Sequence, residues 1–309
     1  MKFIYPSVEE ICICDPLKKI EYVGRTCYKS TDKITDTSAI TFYNNLIARG
    51  HFAMIEHATF CFQVNALLYE QLRSYSFLNR TVEEFSDGRM RYLISGNLRA
   101  INETQETSLL SVLYHTNPRY VYIFGDKAKL ICDYTLPEDS IKLIDIDSLE
   151  DIQREAYFTH KYFTFKFTCD RGVSHEIVRH RPASFAQEST RYCNYTKDKF
   201  GKELCFIYPT GYDNWDEESR TILHTTFKSI EEGYFSLINS GKTPQQARVI
   251  LPNGLKTEVI MTANAKEFDH FFDLRSRGIT GSPHPDMKVV ADMALKLFNS
   301  TVEVKKFSD

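Results

Sequence analysis

The sequence predicts an α+β fold, and three observations predict it. Thr59-Phe60-Cys61-Phe62-Gln63-Val64 and Phe163-Thr164-Phe165-Lys166-Phe167 alternate in the way of half-buried strands. Residues 217–240 place Leu223, Phe227, Ile230, Tyr234 and Leu237 at i+3/i+4 spacing, the period of an amphipathic helix. No GxGxxG or Walker A loop is present, so any nucleotide is held by side chains and helix ends rather than by a glycine-rich cradle.

In chain order, a short strand opens residues 1–35 and a helix follows over 17–28. Residues 36–48 read as a helix with Ile40, Phe42, Leu46 and Ile47 inward and Gly50 closing it. His51, Glu56 and His57 sit in the loop before the strand at 59–64, and a helical pattern covers 66–77. Ser95-Gly96-Asn97-Leu98-Arg99 reads as a turn into a helix, and 145–151 as an acidic loop. There is no Gly/Ser linker or low-complexity tract, so residues 80–155 read as an elaboration of one domain spanning 1–309. The strand–helix unit at 60–64 is similar to the one at 163–167, though a five-residue likeness is weak evidence of a repeat. Gly241 closes the helix at 217–240. Thr243-Pro244-Gln245-Gln246 then starts another, with Thr at the N-cap, Pro at N1 and Gln at N3. That helix carries Arg248 and ends before Pro252, and 255–262 is strand-like. Asn264 caps a helix with Phe268, Phe271 and Phe272 inward and Arg275 near its end. Residues 278–282 read as a mobile loop, and Pro285 starts a last helix carrying Met287, Val290, Met293 and Leu297.

The chain has 309 residues, room for one large domain or two small ones, and its hydrophobic content of 42% is ample for a core. A net charge of −3 argues against a general nucleic-acid binder. No apolar run approaches a membrane span, and residues 1–6 lack a signal-peptide core, so a cytoplasmic protein is expected. Eight cysteines without a CxxC pair read as reduced and largely buried thiols. His175 and His180 stand five apart, not i, i+4, so the zincin reading is rejected and no metal is expected.

The chemistry concentrates in Arg179-His180-Arg181-Pro182-Ala183-Ser184-Phe185-Ala186-Gln187-Glu188-Ser189-Thr190-Arg191-Tyr192. A short helix over 170–178, with Val173, Ile177 and Val178 inward, is stopped by Pro182, which crowds Arg179, His180 and Arg181 at its end. Ser184 and Gln187 have capping-box spacing and are expected to restart a helical turn. Guanidiniums beside hydroxyls suit a planar, anionic, oxygen-rich ligand, and Arg248 and Arg275 add two more. The alternative is that these arginines only complement helix dipoles. His51, His57 and His180 are acid–base candidates, whereas Cys193 has no visible base and reads as a buried thiol. The residues by themselves give a cytosolic α+β protein with an anion or nucleotide site.

Residues 179–192 resemble the signature of the flavin-dependent thymidylate synthases, RHR followed after seven residues by Ser, here Ser189. His51…Glu56-His57 resembles the family's GHxxxxEH loop, and Ala247-Arg248-Val249-Ile250-Leu251-Pro252 its ARxxLP helix. Asn264-Ala265-Lys266, Phe271-Phe272-Asp273-Leu274-Arg275 and His284-Pro285 resemble its NA[RK], FFxLR and HP segments. The likeness covers about residues 1–65 and 160–300, and the chain between resembles the insertion of longer members.

The resemblance implies an antiparallel sheet flanked by helices, in a single-domain protomer of a homotetramer with shared active sites. It implies that FAD, reduced by NADPH, carries a methylene group from methylenetetrahydrofolate to dUMP, giving dTMP and tetrahydrofolate. Flavin contacts are implied for His51, Ala53, Arg179, His180, Arg181, Gln187, Asn264, Ala265, Lys266 and His270, with the His51 loop coming from a neighbouring chain. Contacts to dUMP are implied for Glu176, Ile177, Val178, Arg179, Gln187, Glu188, Ser189, Thr190, Arg191, Arg248 and Arg275, and Arg275 and Ser189 are the implied catalytic pair. The chain departs from the pattern at Glu176, where many members have Gln, and at Ala186-Gln187, where many have Asn-Glu. It also departs at Ala53, which replaces Ser or Thr, and at His270, which replaces an Asn. A carboxylate facing dUMP at Glu176 is costly unless paired. The rival reading is a catalytically silent nucleotide- or RNA-binding protein on the same fold, which a flavin absorbance band would separate.

Overall fold

The computed structural model describes residues 1–122, 126–135, 140–191, 193–196 and 201–308. From the start of the chain come β1 (Lys2–Ile4), β2 (Ser7–Glu10), α1 (Pro16–Cys27), α2 (Ser38–Ala48), β3 (Thr59–Val64) and α3 (Ala66–Gln71). Next are β4 (Asn79–Glu84), β5 (Met90–Asn97), α4 (Leu98–Thr104), α5 (Thr107–Thr116), α6 (Asp126–Asp133), β6 (Ile141–Ile144) and α7 (Arg154–His160). The rest is β7 (Tyr162–Asp170), α8 (Arg171–Ile177), β8 (Ser184–Gln187), β9 (Cys205–Ile207), α9 (Glu217–Asn239), α10 (Pro244–Ala247), β10 (Lys256–Asn264), α11 (Ala265–Phe272) and α12 (Pro285–Val302).

The fold is mixed, with antiparallel sheets and helices, as expected. One four-stranded sheet runs β2-β7-β10-β8 and another β4-β5-β3-β6, both antiparallel, while β1 and β9 form a small parallel pair. Residues 80–155 supply β5, β6 and most of β4 to the sheet centred on β3 and β5. The two central strands of each sheet lead alike into an Asn or Asp, at or just after the strand end, that caps the helix after it. The side chains of Asn65, Asn97, Asp170 and Asn264 accept from the N–H groups of Leu68, Ala100, Val173 and Glu267 at 2.9, 2.8, 2.8 and 2.9 Å. A short acceptor on an extended residue satisfies one orphan donor of the first helical turn, which is why these strands pass directly into helices.

Among the described residues, two large cores pack against the sheets. Phe163, Phe165 and Phe167 of β7 interlock with Phe268, Phe271 and Phe272 of α11 and with α12; the rings of Phe165 and Phe268 lie 5.0 Å apart, edge to face. Each fully buried ring contributes about 1.5–3 kcal/mol of transfer free energy, so α11 is anchored along its whole inner face. The other core gathers Phe62 and Ile94 with Leu98, Leu109 and Leu113 under β3 and β5.

Several expectations change in detail. Ser184–Gln187 is a strand, not a helical turn: its backbone pairs with Val259–Thr262, and Ser184 and Ala186 point inward alternately. The S-x-x-Q spacing is local, and pairing with β10 outcompetes it. Ser95–Asn97 ends a strand rather than forming a turn. The helix expected over 66–77 stops at Gln71 and gives way to a 3-10 turn. Ile40 and Met293 are exposed, and Ala39 and Tyr43 take the inner face of α2. Cys12, Cys14 and Cys132 are exposed, while Cys27, Cys61, Cys169 and Cys193 are buried. The capping box at Thr243 forms as expected, with Gln246 reciprocating. Among the described residues, no helix is long and apolar enough to cross a membrane.

Candidate active site

Two helix ends meet at the centre of the site. α8 is held by its Asp170 cap and ends at Ile177, so Glu176 lies in its last turn. α11 continues into a π turn, Asp273–Arg277, closed by Gly278 at φ +68°, a left-handed conformation that favours glycine. That turn carries Arg275, whose Nη1 donates to Glu176 Oε2 at 2.9 Å. The carboxylate that looked costly is therefore paired. Both side chains are about a quarter exposed (26% and 27%), so the pair is worth about 1 kcal/mol and its role lies in direction rather than stability.

Of the RHR residues, Arg179 and Arg181 are exposed and His180 is buried. The His180 ring lies 5.6 Å from that of His270 and 5.5 Å, edge-on, from Phe271. Its Nε2 has no hydrogen-bond partner among the described residues and stands 3.7 Å from Glu267 Oε2. Burial, then the charges of His270 and Arg275, hold the imidazole pKa down at about 4. Burial pushes the Glu267 carboxyl up. Both shifts disfavour charge, so this approach is not an ion pair.

The strand and loop after RHR carry the other candidates. Gln187 Nε2 donates to Ser174 Oγ at 2.9 Å. Glu188 is buried against Lys256 at 3.0 Å and Lys29 at 3.5 Å, and both lysines also hold Glu258, at 2.6 and 2.7 Å. Burial alone would raise the Glu258 carboxyl, but Lys256 and Lys29 outweigh it and hold its pKa at about 2. Ser189 donates its N–H to Cys27 C=O at 3.0 Å, and its Oγ accepts from Arg191 N–H at 3.3 Å. Thr190 is buried and Arg191 exposed.

Some candidates are occupied structurally. Ile177 is fully buried and Val178 half-buried. Asn264 Nδ2 donates to Thr159 C=O at 3.0 Å, and Ala265 N–H to Lys161 C=O at 2.7 Å. Lys266 and His270 are exposed on the outer face of α11. Arg248 is exposed in the turn after α10, which packs on α10 and α9. His51 and Ala53 are exposed, whereas the end of their loop is anchored to the β7/β10 sheet. Glu56 accepts from Arg99 Nη1 at 2.9 Å and from Ser184 Oγ at 3.1 Å, and His57 Nδ1 is hydrogen-bonded to Thr262 Oγ1 at 2.7 Å. A cleft of about 410 Å³ opens beside this loop, with Asn264, Glu267 and Pro182 on one side and Asn79, Asn97 and Arg99 on the other. A second cavity, about 380 Å³, adjoins Glu176, with Trp215, Phe227 and His284 among its walls.

Arg99, Glu267, Lys29 and Lys256 escaped the sequence reading. Asn97-Leu98-Arg99 has the spacing of Asn264-Ala265-Lys266 and was the signal that would have pointed to Arg99.

The family model described as "Thymidylate synthase complementing protein" matches residues 133–302. The chain belongs to this family. The match takes in Glu176, the RHR stretch, Arg248, the Asn264 cap and Arg275, and leaves His51 and Ala53 outside. Among curated relatives, a flavin-dependent thymidylate synthase of Geobacter sulfurreducens is 33% identical over 131 residues, 42% of this chain and 54% of that protein. One from Pyrococcus furiosus is 35% identical over 129 residues, 39% of this chain and 49% of its own length. The chain spans about half the length of the curated relatives it matches. Among solved structures, a UMP/dUMP methylase, PolB, from Streptomyces cacaoi, bound with 5-Br dUMP, aligns with a TM-score of 0.42 and 13% identity over 97% of this chain and 93% of that chain, a likeness too low to argue from.

Proposed function

We propose that this family member is a flavin-dependent thymidylate synthase. It transfers the methylene group of methylenetetrahydrofolate to C5 of dUMP, with FAD reduced by NADPH as the source of electrons, and releases dTMP and tetrahydrofolate. The observation that carries this reading is the Glu176–Arg275 pair beside the RHR stretch, inside the family match.

The residues present fit a flavin dinucleotide. Arg179, Arg181 and Lys266 offer exposed cations for a pyrophosphate, and His180 Nε2 is a buried polar atom without a partner among the described residues. When bound, the flavin supplies two-electron chemistry and carries the one-carbon unit. The remaining chemistry belongs to the chain. Uracil C5 is a poor nucleophile while N3 keeps its proton. Arg275 stays charged, donates in a fixed plane, and stabilises negative charge developing along the N3 edge. Glu176 orients that plane through Nη1, which leaves Nη2 and Nε as the donors for the ring. The Ser189 hydroxyl, Arg191 and Arg248 meet the nucleotide. The same reading includes the homotetramer with shared sites that the resemblance implies.

The test is direct. Purified protein should be yellow and should form dTMP from dUMP, methylenetetrahydrofolate and NADPH. Arg179→Ala with Arg181→Ala should fold but lose the flavin. Flavin-loaded wild type that makes no dTMP, or full flavin retention in the double variant, would overturn the reading.

A further inference from the structure

The two antiparallel sheets have one plan. Counted from one edge they run β8-β10-β7-β2 and β4-β5-β3-β6. The caps Asp170 and Asn65 are each followed at the same separation by the next strand, at Ser184 and Asn79. Those residues pair with Thr262 and Ser95, each two positions before the caps Asn264 and Asn97. Leu98 N–H donates to Ala58 C=O at 2.8 Å, as Ala265 N–H does to Lys161 C=O. The contacts between the sheets are reciprocal as well. His57, two residues before β3, is bonded to Thr262 on β10, and His160, two residues before β7, is bonded through Nδ1 to Ser95 Oγ on β5 at 2.7 Å. Such an exchange of equivalent contacts is the mark of an isologous interface.

The copies have diverged in chemistry. Where the second copy has Arg179, His180 and Arg181, the first has Ser74, Tyr75 and Ser76 at corresponding positions. The family match covers the second copy. The 410 Å³ cleft lies where the copies face each other and is lined by corresponding pairs: Phe77 and Pro182, Asn79 and Ser184, Asn97 and Asn264. Its charge does not suit a phosphate. Arg99 is held by Glu56 at 2.9 Å and Glu103 at 2.7 Å, which leaves the Glu267 carboxylate, without a hydrogen-bond partner among the described residues, as the free acceptor. Phe77 stands half-exposed at the edge as a stacking surface.

We propose that the chain is an internal duplication whose first copy has lost its own anion site and closes, within the same chain, a cleft for a flat heteroaromatic ring bearing N–H donors, which Glu267 accepts and Phe77 stacks against. This rests on the proposed function, under which two ligands have such a ring: the flavin and the reduced pterin of the folate. The pterin has the closer match, because its amino group and adjacent ring N–H offer a carboxylate two parallel donors.

The test uses the purified full chain as flavin-loaded protein and measures flavin retention and 5-formyltetrahydrofolate affinity separately. Phe77→Ala and Glu267→Gln should each weaken one of the two at least tenfold. Leu67→Ala, exposed on the same copy but outside the cleft, should change neither. Loss of folate affinity assigns the cleft to the pterin, and loss of flavin assigns it to the flavin ring. Flavin should bind at one per chain, because the first copy lacks the arginines. Unchanged affinity for both ligands in both cleft variants, or two flavins per chain, would overturn the inference. Wild type that carries no flavin and makes no dTMP would instead bring down the proposed function.

Discussion

Acid should unfold this protein well before its carboxylates protonate, because two buried histidines are locked neutral at corresponding places. His57 is fully buried and His160 nearly so, and each is hydrogen-bonded across to the other sheet. Burial lowers both from 6.5 to about 3; the Lys19 charge adds to the effect at His57, where the Phe185 backbone opposes it. A group with a depressed folded pKa binds its proton first in the unfolded chain. The stability it contributes is therefore complete above about pH 6.5 and is lost as pH falls from there toward 3. Each histidine costs about 1.4 kcal/mol per pH unit in that window, about 2 kcal/mol by pH 5, so the pair costs about 4 kcal/mol between pH 7.5 and 5. His180, held near 4, adds in the same direction. Glu258, held at about 2, contributes its own loss only below the ordinary carboxylate value of 4.5, whereas the raised carboxyls of Glu83, Asp170 and Glu267 work in the opposite direction and offset part of the histidine loss. Against a total of about 5–15 kcal/mol, 4 kcal/mol is a large share. Urea midpoints at pH 7.5, 6 and 5 measure it, and His57→Gln should remove roughly a third of the dependence, since His57, His160 and His180 each contribute about equally in this window. Equal midpoints at pH 7.5 and 5 would refute the reasoning.

Two further outcomes are expected. Arg275→Lys keeps the charge but loses the planar fork held by Glu176; it should fold and retain flavin while dTMP formation falls roughly 10²–10³-fold, with NADPH oxidation less affected, and a loss of only a few-fold would remove the catalytic role. His160 Nε2 is bonded to Thr81 Oγ1 at 2.9 Å, but Ala186 stands at the corresponding place and His57 Nε2 has no hydrogen-bond partner among the described residues; Ala186→Ser should supply the missing hydroxyl and raise stability by about 1 kcal/mol, read as a Tm increase of roughly 2–4 °C, and a lower Tm would show that the serine does not serve His57.

What could be read in the sequence followed from local rules. The strand at 59–64, the Thr243 capping box and the Asn264 cap each depend on residues close together in the chain, and the structure has them as expected. The RHR stretch was legible for the same reason. Its surroundings were not, because they come from distant chain. Ser184–Gln187 becomes a strand through pairing with β10, and the Glu176–Arg275 bond joins residues 99 apart. The strand at Asn79–Glu84 has little apolar alternation to show, since it is an edge strand stabilised by β5. The likeness of the strand–helix units at 60–64 and 163–167 was a visible corner of two corresponding sheets, whose order only the pairing reveals.

The edge strands of the two sheets are exchanged along the chain. β2 precedes every element of the β3/β5 sheet, yet it pairs with β7, Ser7 opposite Thr168. β6 stands just before β7, β8 and β10 in sequence, yet it pairs with β3, Val64 opposite Ile141, and not with them. Each sheet is thus completed by a strand from the other side of the sequence. A cut between the copies strands an edge on each side, so neither copy can be excised as a self-sufficient piece. During synthesis β2 must wait until β7 has been made, and the high contact order of that closure makes folding slow. The swap ties the assembly of the site to synthesis of nearly the whole described chain.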